Sequence, residues 1–388
     1  MGTLRFVTAG ESHGPEITAL IDGVPAGLPL LASDVDDELA RRQRGYGRGG
    51  RMRIENDRIR FTAGVRGGET LGSPIAMVLA NKDFPNWVPH MTDAPFEHTP
   101  HPLSRPRPGH ADLAGGLKYD RHDLRDVLER ASARETAART AAGAVCKKLL
   151  TALGVDVFAH VVAIGPVEAN VASIPLAELK ARARAADLSC ADPSAEEKMR
   201  DAIREAAHAG DTVGGVFEIV ATGVPPGLGS HVMWDRKLDG RLASALMSIQ
   251  GIKGVEIGLA FEGARRRGSM LHDPIFYNSG ERSFTRPSNN AGGIEGGVTN
   301  GMPVRLRAAM KPIATLKRPL PSIDVSTKEP NDAAFERSDV CAVGAASVVG
   351  EAMVAFVLAQ AAVEKFGGDS LGEMKRNLQG YLEQVQRY

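Results

Sequence analysis

The sequence predicts an α+β fold built on antiparallel sheets. Strand-like segments rich in Val, Ile, Phe and Thr come in neighbouring pairs, and helical segments interrupt them irregularly. The chain lacks the repeating strand–helix–strand period of a doubly wound parallel sheet. The predicted strands are 3–8, 16–24, 58–64, 74–80, 155–165, 213–222, 255–261 and 303–309. The predicted helices are about 33–43, 133–152, 194–209, 238–249, 347–366 and 370–386.

Two serine–glutamate spacings predict where helices begin. Ser132 with Glu135, and Ser194 with Glu197, have the spacing of a capping box, in which each side chain satisfies the backbone N–H of the other residue. We therefore expect a helix to start at each serine.

Charge and cysteine content limit the classes of protein to consider. The 388 residues carry 47 Lys and Arg and 47 Asp and Glu, and a net charge of zero argues against nucleic-acid binding through a global basic field. Cys146, Cys190 and Cys341 lie far apart and form no metal-ligand spacing. We therefore predict a reduced, cytoplasmic protein with neither a disulfide framework nor a metal site.

The most apolar stretch, Ala352 to Val363, is too short to span a bilayer and is flanked by Glu351 and Glu364. It predicts a buried core helix. The N-terminal residues do not have the pattern of a signal peptide, so we expect a soluble protein without a membrane partner.

Two long segments have the composition of loops. Residues 83–108 hold seven prolines together with His90, His98 and His101, and we interpret them as a lid or a subunit contact with solvated histidines. Residues 287–303 contain two Gly-Gly pairs. These suit a backbone that wraps a flat or anionic ligand, and they suit ordinary tight turns equally well.

Two glycine motifs match known signatures without the required context. Gly10–Gly14 reads G-x-S-x-G, but the elbow of serine hydrolases follows an interior parallel strand, and this one follows the first strand of the chain. Gly45–Gly50 reads G-x-G-x-x-G, but a predicted helix precedes it where a dinucleotide-binding loop needs a strand. We discount both interpretations.

Arginines are dense around this second motif. Like charges so close repel one another unless anions or carboxylates lie between them, so we interpret the stretch as a cradle for phosphate or carboxylate groups. Its arginines are Arg41, Arg42, Arg44, Arg48, Arg51 and Arg53.

A second anion site is predicted between Glu129 and Arg139. If Ser132 caps a helix, Arg130 and Arg134 flank an N-terminus where free N–H groups and the positive end of the helix dipole converge. The alternative is an arginine–glutamate ladder on an exposed helix.

Two histidines are candidates for proton transfer. His13 lies in the turn after the first strand, and His110 follows a Pro-Gly turn with Asp112 close enough to orient it. Lys311–Thr315 and the pair Arg337 and Asp339 add further polar groups. For His110, Lys311–Thr315 and the pair Arg337 and Asp339, an ordinary ion pair is at least as good an interpretation, whereas for His13 we favour protonation of a leaving group over a structural role. Their combination points to acid–base chemistry on a polyanionic small molecule.

The combination resembles the chorismate synthase family over essentially the whole chain, in order. The segments that carry the resemblance are G-E-S-H-G, R-R-Q-R-G-Y-G-R-G-G-R-M, R-P-G-H-A-D, E-R-A-S-A-R-E-T-A-A-R, G-D-T-V-G-G, M-S-I-Q-G-I-K-G-V-E-I-G, N-N-A-G-G-I-E-G-G-V-T-N-G, K-P-I-A-T and R-S-D-V-C. The resemblance implies a β-α-β sandwich with helices between antiparallel sheets, formed by residues 1–388 as one domain with the Pro-rich loop at 83–108. It also implies a homotetramer.

The resemblance further implies an anti-1,4-elimination of phosphate from 5-enolpyruvylshikimate 3-phosphate to give chorismate, in the shikimate pathway. Reduced FMN would assist without net redox change, since simple acid–base groups serve this elimination poorly. An external flavin reductant, with NADPH as an indirect source, is expected because the sequence shows no appended reductase domain.

Residue roles follow from the same resemblance. His13 would be the general acid for the departing phosphate, His110 would protonate or stabilise the flavin near N1 and O2, and Asp339 would assist proton removal through flavin N5. The implied substrate-binding residues are Arg42, Arg48, Arg107, Arg134 and Arg337, of which Arg42 and Arg48 also match NADP contacts. The implied flavin contacts are Arg130, Ala131, Ser132, Gln250, Gly251, Gly296, Lys311, Pro312, Ile313, Ala314, Thr315 and Arg337.

The chain departs from the family pattern at two positions. Ser338 stands where many members have histidine, and Ala260 stands where glycine is common. A different class, a non-catalytic protein that binds a phosphometabolite or RNA through the same arginines, remains as the alternative. Flavin separates the two, because a binding module would neither retain FMN nor form chorismate.

Overall fold

A computed structural model describes residues 4–48, 56–97, 102–336 and 338–388. The helices are α1 Ala32–Gln43, α2 Asp112–Tyr119, α3 Arg125–Ala131, α4 Thr136–Ala152, α5 Leu176–Ala185, α6 Pro193–Ala209, α7 Leu238–Met247, α8 Ala260–Gly263, α9 Gly268–Leu271, α10 Val343–Phe366 and α11 Leu371–Arg387. The strands are β1 Arg5–Ala9, β2 Glu16–Asp22, β3 Ile59–Ala63, β4 Val65–Arg66, β5 Glu69–Thr70, β6 Ile75–Ala80, β7 Asp156–Ile164, β8 Val167–Glu168, β9 Gly215–Thr222, β10 Ile252–Ile257, β11 Phe276–Asn278, β12 Ser283–Thr285, β13 Ile294–Glu295, β14 Val298–Thr299, β15 Val304–Met310, β16 Pro321–Ile323 and β17 Pro330–Asp332.

Two antiparallel sheets enclose a helical layer. One sheet has the order β1-β2-β6-β3 and the other the order β10-β15-β9-β7-β8. Helix α4 contacts β2 of the first sheet and β7 of the second, while α10 packs on α4, β7 and β9. The predicted α+β class and the β-α-β sandwich are therefore confirmed.

Alternating side chains explain why each sheet buries one face. In β2 the buried residues are Ile17, Ala19 and Ile21, and in β15 the inward Val304 and Leu306 alternate with half-exposed arginines. Strand β7 is buried on both faces because α5 covers its outer side, where Leu179 packs in one cluster with Phe158. The sequence pattern and the packing thus agree on which face meets the helices.

Helix α10 is the centre of the helical layer. Its length and apolar composition would also suit a membrane span, yet 83% of its most apolar window is buried inside the protein. The prediction of a core helix is confirmed. Helix α4 approaches it closely at Gly143, where an added Cβ would lie 2.3 Å from the Cβ of Ala352.

One buried carboxylate links this layer. Glu351 of α10 is fully buried and accepts two hydrogen bonds of 2.9 Å from Arg41 of α1. It also pairs with Lys147 of α4 and accepts the backbone N–H of Ala159 in β7 at 3.1 Å. The Glu351 side chain therefore connects α10 with α1, α4 and β7. The sequence analysis identified this residue only as a charge that flanks the apolar stretch.

The capping predictions were partly wrong. Asp192, and not Ser194, caps α6 by accepting the N–H groups of Ser194 and Ala195, with Pro193 at the first helical position. Ser132 does cap a short 3-10 turn, Ala133–Glu135, that runs into α4, but it accepts from Arg134. The Glu135 side chain bonds Thr8 and Arg139 instead of closing a capping box.

Five of the described helices were missed by the sequence analysis, and two of them, α8 and α9, have only four residues each. Helix α2 contains two glycines, and α3 has only seven residues, so both have weak intrinsic helix signals. Helix α5 did carry an apolar spacing, with buried Leu179 and Ala183 four residues apart. The three cysteines are reduced and buried.

Candidate active site

One cavity of about 650 Å³ brings most of the predicted site residues together. It lies where the β1–β2 turn, the end of α1, the junction of α3 with α4 and the first turns of α10 meet. The predicted residues that line it are His13, Arg42, Arg48, Arg107, His110, Ala131, Ser132, Arg134, Gln250, Gly251, Lys311, Pro312, Ile313, Ala314, Thr315 and Asp339. Of the remaining predictions, Arg130 and Gly296 lie outside this lining, and Arg337 lies outside the described residues.

His13 is fixed on two sides. Its Nδ1 lies 2.9 Å from Oε1 of Glu129, and its backbone N–H donates to Oε2 of the same carboxylate at 2.8 Å. Trp87 stacks on the ring, with centroids 3.9 Å apart and planes 27° apart. Burial alone would raise the pKa of Glu129, but the hydrogen bond and charge of His13, with the charge of Arg125, hold that pKa below its usual value. The imidazole therefore faces an ionised carboxylate.

His110 has its own buried carboxylate. Its Nδ1 lies 2.5 Å from Oδ1 of Asp112, the second residue after it. Asp112 also accepts from Arg107 Nε at 2.8 Å, and Arg107 donates to Thr315 Oγ1 at 2.8 Å. Burial opposes ionisation of Asp112, but hydrogen bonds from His110 and Arg107 outweigh it and place its pKa well below the usual range. The predicted orienting role of Asp112 agrees with this geometry.

Arg42 and Arg134 share a third buried carboxylate. Asp57 Oδ1 lies 2.5 Å from Arg134 Nη1, and its Oδ2 lies 3.4 Å from Arg42 Nη1. Arg42 also donates to Thr136 Oγ1 and to the carbonyl of Ala133. Its pKa is lowered to about 10 by burial and by the nearby Arg134 and Arg48, against the opposing effect of Asp57. Two guanidinium groups thus lie in fixed positions at the cavity, and within the described part of the chain the Asp57 carboxylate lies between them.

Asn81 joins this arginine pair to the histidine turn. Its Oδ1 accepts from Arg134 Nε at 2.8 Å, and its Nδ2 donates to the carbonyl of Gly14 at 2.6 Å. Ser132 Oγ lies 3.0 Å from Ser12 Oγ, and the backbone N–H of Ser12 donates to the carbonyl of Glu129. The residues around His13 are therefore fixed from two directions.

Arg48 and Asp339 form an ion pair on the cavity wall. Arg48 Nη1 lies 2.9 Å from Asp339 Oδ2, and both side chains remain partly exposed. The resemblance gave these residues separate roles, and the structure places them in direct contact. Ser338 Oγ donates to the carbonyl of Thr315, which connects this wall with the 311–315 segment.

The remaining wall is mostly apolar with a few polar groups. Lys311 Nζ donates to the carbonyl of Gly109 at 2.5 Å, and burial, with Lys253 nearby, lowers its pKa. Gln250 Nε2 donates to Glu135 Oε2 at 3.2 Å, while Gln250 Oε1 is buried and has no hydrogen-bond partner among the described residues. The apolar wall residues are Ala131, Ile249, Met310, Pro312, Ile313, Ala314, Phe335, Ala342, Ala345, Ala346 and Val349.

The glycine-rich segment 287–303 forms tight turns. Gly296 and Gly297, with φ of 60° and 90°, make the two-residue turn between β13 and β14, which packs beside Lys237 and Leu238. Of the two interpretations left open, the structure shows the tight turns at this position. The G-E-S-H-G turn follows β1, an edge strand of an antiparallel sheet, which excludes the hydrolase elbow.

The Pro-rich segment contributes Trp87 to the cavity, just after the 3-10 turn Phe84–Asn86. His90 contacts the edge of the Trp87 ring, while His98 and His101 lie outside the described residues. The expectation of solvated histidines does not hold for His90, which packs on an aromatic wall residue.

Sequence reasoning missed the residues that support the site. Asp57, Asn81, Trp87 and Glu129 each contact a predicted site residue. Only Glu129 had a local signal, since it stands in the segment predicted to bind an anion. The others come from distant parts of the chain, and their spacing along the sequence gives no indication of the contact.

Fixed guanidinium groups and carboxylate-held imidazoles around one cavity define an enzyme site for an anionic small molecule, with groups able to exchange protons. The chain matches the family model described as chorismate synthase over residues 4–363. It is 58% identical to a chorismate synthase of Desulforudis audaxviator over 383 residues, covering 98% of each chain. It is 56% identical to one of Geobacter sulfurreducens over 392 residues, covering 99% of this chain and all of the relative.

A solved structure titled "Crystal Structure of Chorismate Synthase" covers both chains completely, with a TM-score of 0.81 and 44% identity. The protein therefore belongs to the chorismate synthase family and is a carbon–oxygen lyase.

Proposed function

We propose that the protein converts 5-enolpyruvylshikimate 3-phosphate into chorismate by anti-1,4-elimination of phosphate, with reduced FMN and no net redox change. Family membership supports the reaction. The observation that carries the proposal is a cavity at which two carboxylate-held histidines meet four described guanidinium groups.

The arginines suit the charges of this substrate. It carries one phosphate and two carboxylates, and guanidinium groups bind such anions through paired donors. Arg42, Arg107 and Arg134 are oriented by buried carboxylates, so little side-chain entropy is lost when an anion binds. Arg48 is held by Asp339 and would exchange this contact, wholly or in part, for one with the substrate. Arg337 stays in the proposed binding set.

The cavity also fits a flavin. Its volume of about 650 Å³ lies within the range of cofactor pockets, roughly 300–1,000 Å³. Its apolar wall can cover a flat ring, and buried Gln250 Oε1 can accept an N–H group from it. The proposed flavin contacts that line the cavity are Ala131, Ser132, Gln250, Gly251 and Lys311 to Thr315. Arg130 and Arg337, which are adjacent in sequence to the lining residues Ala131 and Ser338, complete the proposed set. Gly296 lies in the β13–β14 turn, so its role as a contact has no support from this cavity.

When bound, reduced FMN supplies transient electron donation that acid–base groups alone cannot provide. The residues of this chain bind, orient and transfer protons. His13 gives a proton to the departing phosphate. His110 would hold a proton near the cofactor while its Nδ1 contacts Asp112. The Asp339 carboxylate lines the cavity and would act as a proton acceptor.

We further propose a cytoplasmic homotetramer that obtains reduced flavin from an external reductant, with NADPH as an indirect source. Large apolar side chains are exposed near the β11–β12 hairpin, among them Phe276, Tyr277 and Phe284, and such patches favour association. Direct NADP contact by Arg42 and Arg48 stays a prediction.

The test is an anaerobic assay with sub-stoichiometric, chemically reduced FMN. We expect many chorismate molecules per flavin, with the flavin spectrum still that of the reduced form afterwards. One product per flavin, or equal activity with oxidised FMN and no reductant, would overturn the mechanism. A protein that neither retains FMN nor forms chorismate would be a binding module.

A further inference from the structure

We propose that Glu129 is a positioning residue that keeps the Nδ1 proton on His13, so that His13 exchanges its catalytic proton through Nε2. This inference rests on the proposed function, because the proton is given to the departing group there. It adds a residue that the family resemblance did not assign.

The geometry leaves little freedom to the imidazole. Both Glu129 oxygens lie near His13 Nδ1, at 2.9 and 3.1 Å, and the backbone N–H of His13 donates to one of them at 2.8 Å. A carboxylate that bonds the ring and the backbone of one residue fixes both its position and its side-chain torsions. Glu129 itself is 3% exposed, so water does not compete for these bonds.

The charge state of Glu129 determines which ring nitrogen carries hydrogen. The carboxylate is ionised at neutral pH, since its pKa is held below the usual value, and an ionised carboxylate can only accept hydrogen bonds. The contact at 2.9 Å therefore requires hydrogen on Nδ1. Any proton that His13 exchanges with a ligand in the cavity must then pass through Nε2.

The other groups around the ring support the same arrangement. Trp87 stacks on the imidazole, and the Arg125 guanidinium lies 5.1 Å from the Trp87 ring centroid. Arg125 Nη1 also lies 3.4 Å from Glu129 Oε1, and Nη2 lies 3.6 Å from Glu336. Among the residues that the structure describes, the charged groups near His13 include Glu129 and Arg125 of α3, with Glu336 beyond Arg125 and His90 beyond Trp87.

The proton balance of the step is simple. In the imidazolium form both ring nitrogens carry hydrogen. The Nε2 proton passes to the departing phosphate oxygen, and a neutral imidazole remains with Nδ1–H still donated to Glu129. Proton uptake from water at Nε2 restores the acid form. The carboxylate keeps the Nδ1 proton in place and prevents the ring from turning its other nitrogen to the ligand.

The experiment compares Glu129→Gln, which keeps the shape and removes the charge, with Glu129→Asp, which keeps the charge. Glu218→Gln is the matched control, because Glu218 is an equally buried glutamate paired with a histidine, His160, at 3.2 Å outside the cavity lining. The measurements are kcat, KM, FMN affinity and the pH dependence of kcat under anaerobic conditions. The ¹⁵N NMR spectrum of histidine-labelled protein without substrate gives the protonation of His13, assigned with His13→Asn.

We expect Glu129→Gln to lower kcat by about 10- to 100-fold, part of the contribution of a general acid, with KM and FMN affinity little changed. The pH dependence of kcat should change in Glu129→Gln, and Glu129→Asp should restore the pH dependence of the parent at a reduced kcat. The parent spectrum should show hydrogen on Nδ1, and Glu129→Gln should lose this preference. Glu218→Gln should lower stability and leave kcat per folded enzyme unchanged.

Two results would overturn the inference: an unchanged kcat profile in Glu129→Gln, or a parent spectrum with Nδ1 unprotonated at neutral pH. The spectrum of the parent decides the question even if Glu129→Gln does not fold. If the parent forms no chorismate, the proposed function fails, while the spectra still decide the state of His13.

Discussion

Asp57 should control both the stability of the arginine pair and its response to anions. The Asp57 side chain is fully buried between Arg134 and Arg42, at 2.5 and 3.4 Å. Asp57→Asn keeps the shape and removes the only negative charge described between the two guanidinium groups. Breaking a buried ion pair by removing one partner costs about 3–5 kcal/mol, because a buried charge is left uncompensated. We expect a loss of that size in the free energy of unfolding.

An anion should recover part of this loss. With Asp57 neutralised, the two guanidinium groups can be compensated by a ligand in the cavity that they line. A ligand present at 100 times its dissociation constant stabilises the folded state by about 2.7 kcal/mol. Inorganic phosphate should therefore raise the unfolding free energy of Asp57→Asn more than that of the parent, with potassium chloride at equal ionic strength as the salt control.

The assay is urea denaturation with and without phosphate. Asp156→Asn is the comparison variant, since Asp156 pairs with Lys180 at 2.6 Å but is 43% exposed, and exposed pairs contribute about 0–1 kcal/mol. If Asp57→Asn lost no more stability than Asp156→Asn, or responded to phosphate as the parent does, the arginine pair would not depend on this carboxylate.

Two further predictions concern the helical layer and the cavity wall. Burial would raise the pKa of Glu351, but Lys147 and Arg41 lower it below the ordinary value of 4.5, so its contribution is present above that pH and is lost as the pH falls further. At pH 7, Glu351→Gln should lower the free energy of unfolding by about 3–5 kcal/mol. In urea denaturation, the difference in this free energy between parent and variant should shrink below pH 4.5. A difference that stays constant would contradict the pairing. Arg48→Ala should weaken substrate binding by about 1.5–3 kcal/mol, and by less at high salt, where screening already weakens the parent. Equal affinity of parent and variant at low salt, measured by KM, would exclude Arg48 from the binding set.

The fold was predictable wherever the apolar pattern had a clear period. The alternation in β2 and β15 marks one buried face, and the uniformly apolar α10 can only be a core helix or a membrane span. Helices α2 and α3 could not be predicted in this way, because their glycines and short length leave stability to tertiary contacts such as those of Leu124 and Leu128.

The cationic residues of the site could be predicted from the sequence, but the buried carboxylates that hold them in place could not. Arginines and histidines in glycine-rich segments are visible in the sequence because several occur close together. A single buried carboxylate such as Asp57 looks like any surface acid until the fold brings it within 2.5 Å of Arg134, 77 residues away. The N-cap of α6 was predicted wrongly for a related reason. Asp and Ser are both favourable N-cap residues, and backbone geometry decides between Asp192 and Ser194.

Three of the buried carboxylates in the described part of the chain each support two basic groups at or near the cavity. Asp57 holds Arg42 and Arg134, Asp112 holds Arg107 and His110, and Glu129 holds His13 and Arg125. Within this set four guanidinium groups and two imidazoles face three carboxylates, and the Glu336 carboxylate lies 3.6 Å from Arg125 as a fourth. Each carboxylate thus fixes its basic groups before a ligand arrives, which lowers the ordering cost of anion binding.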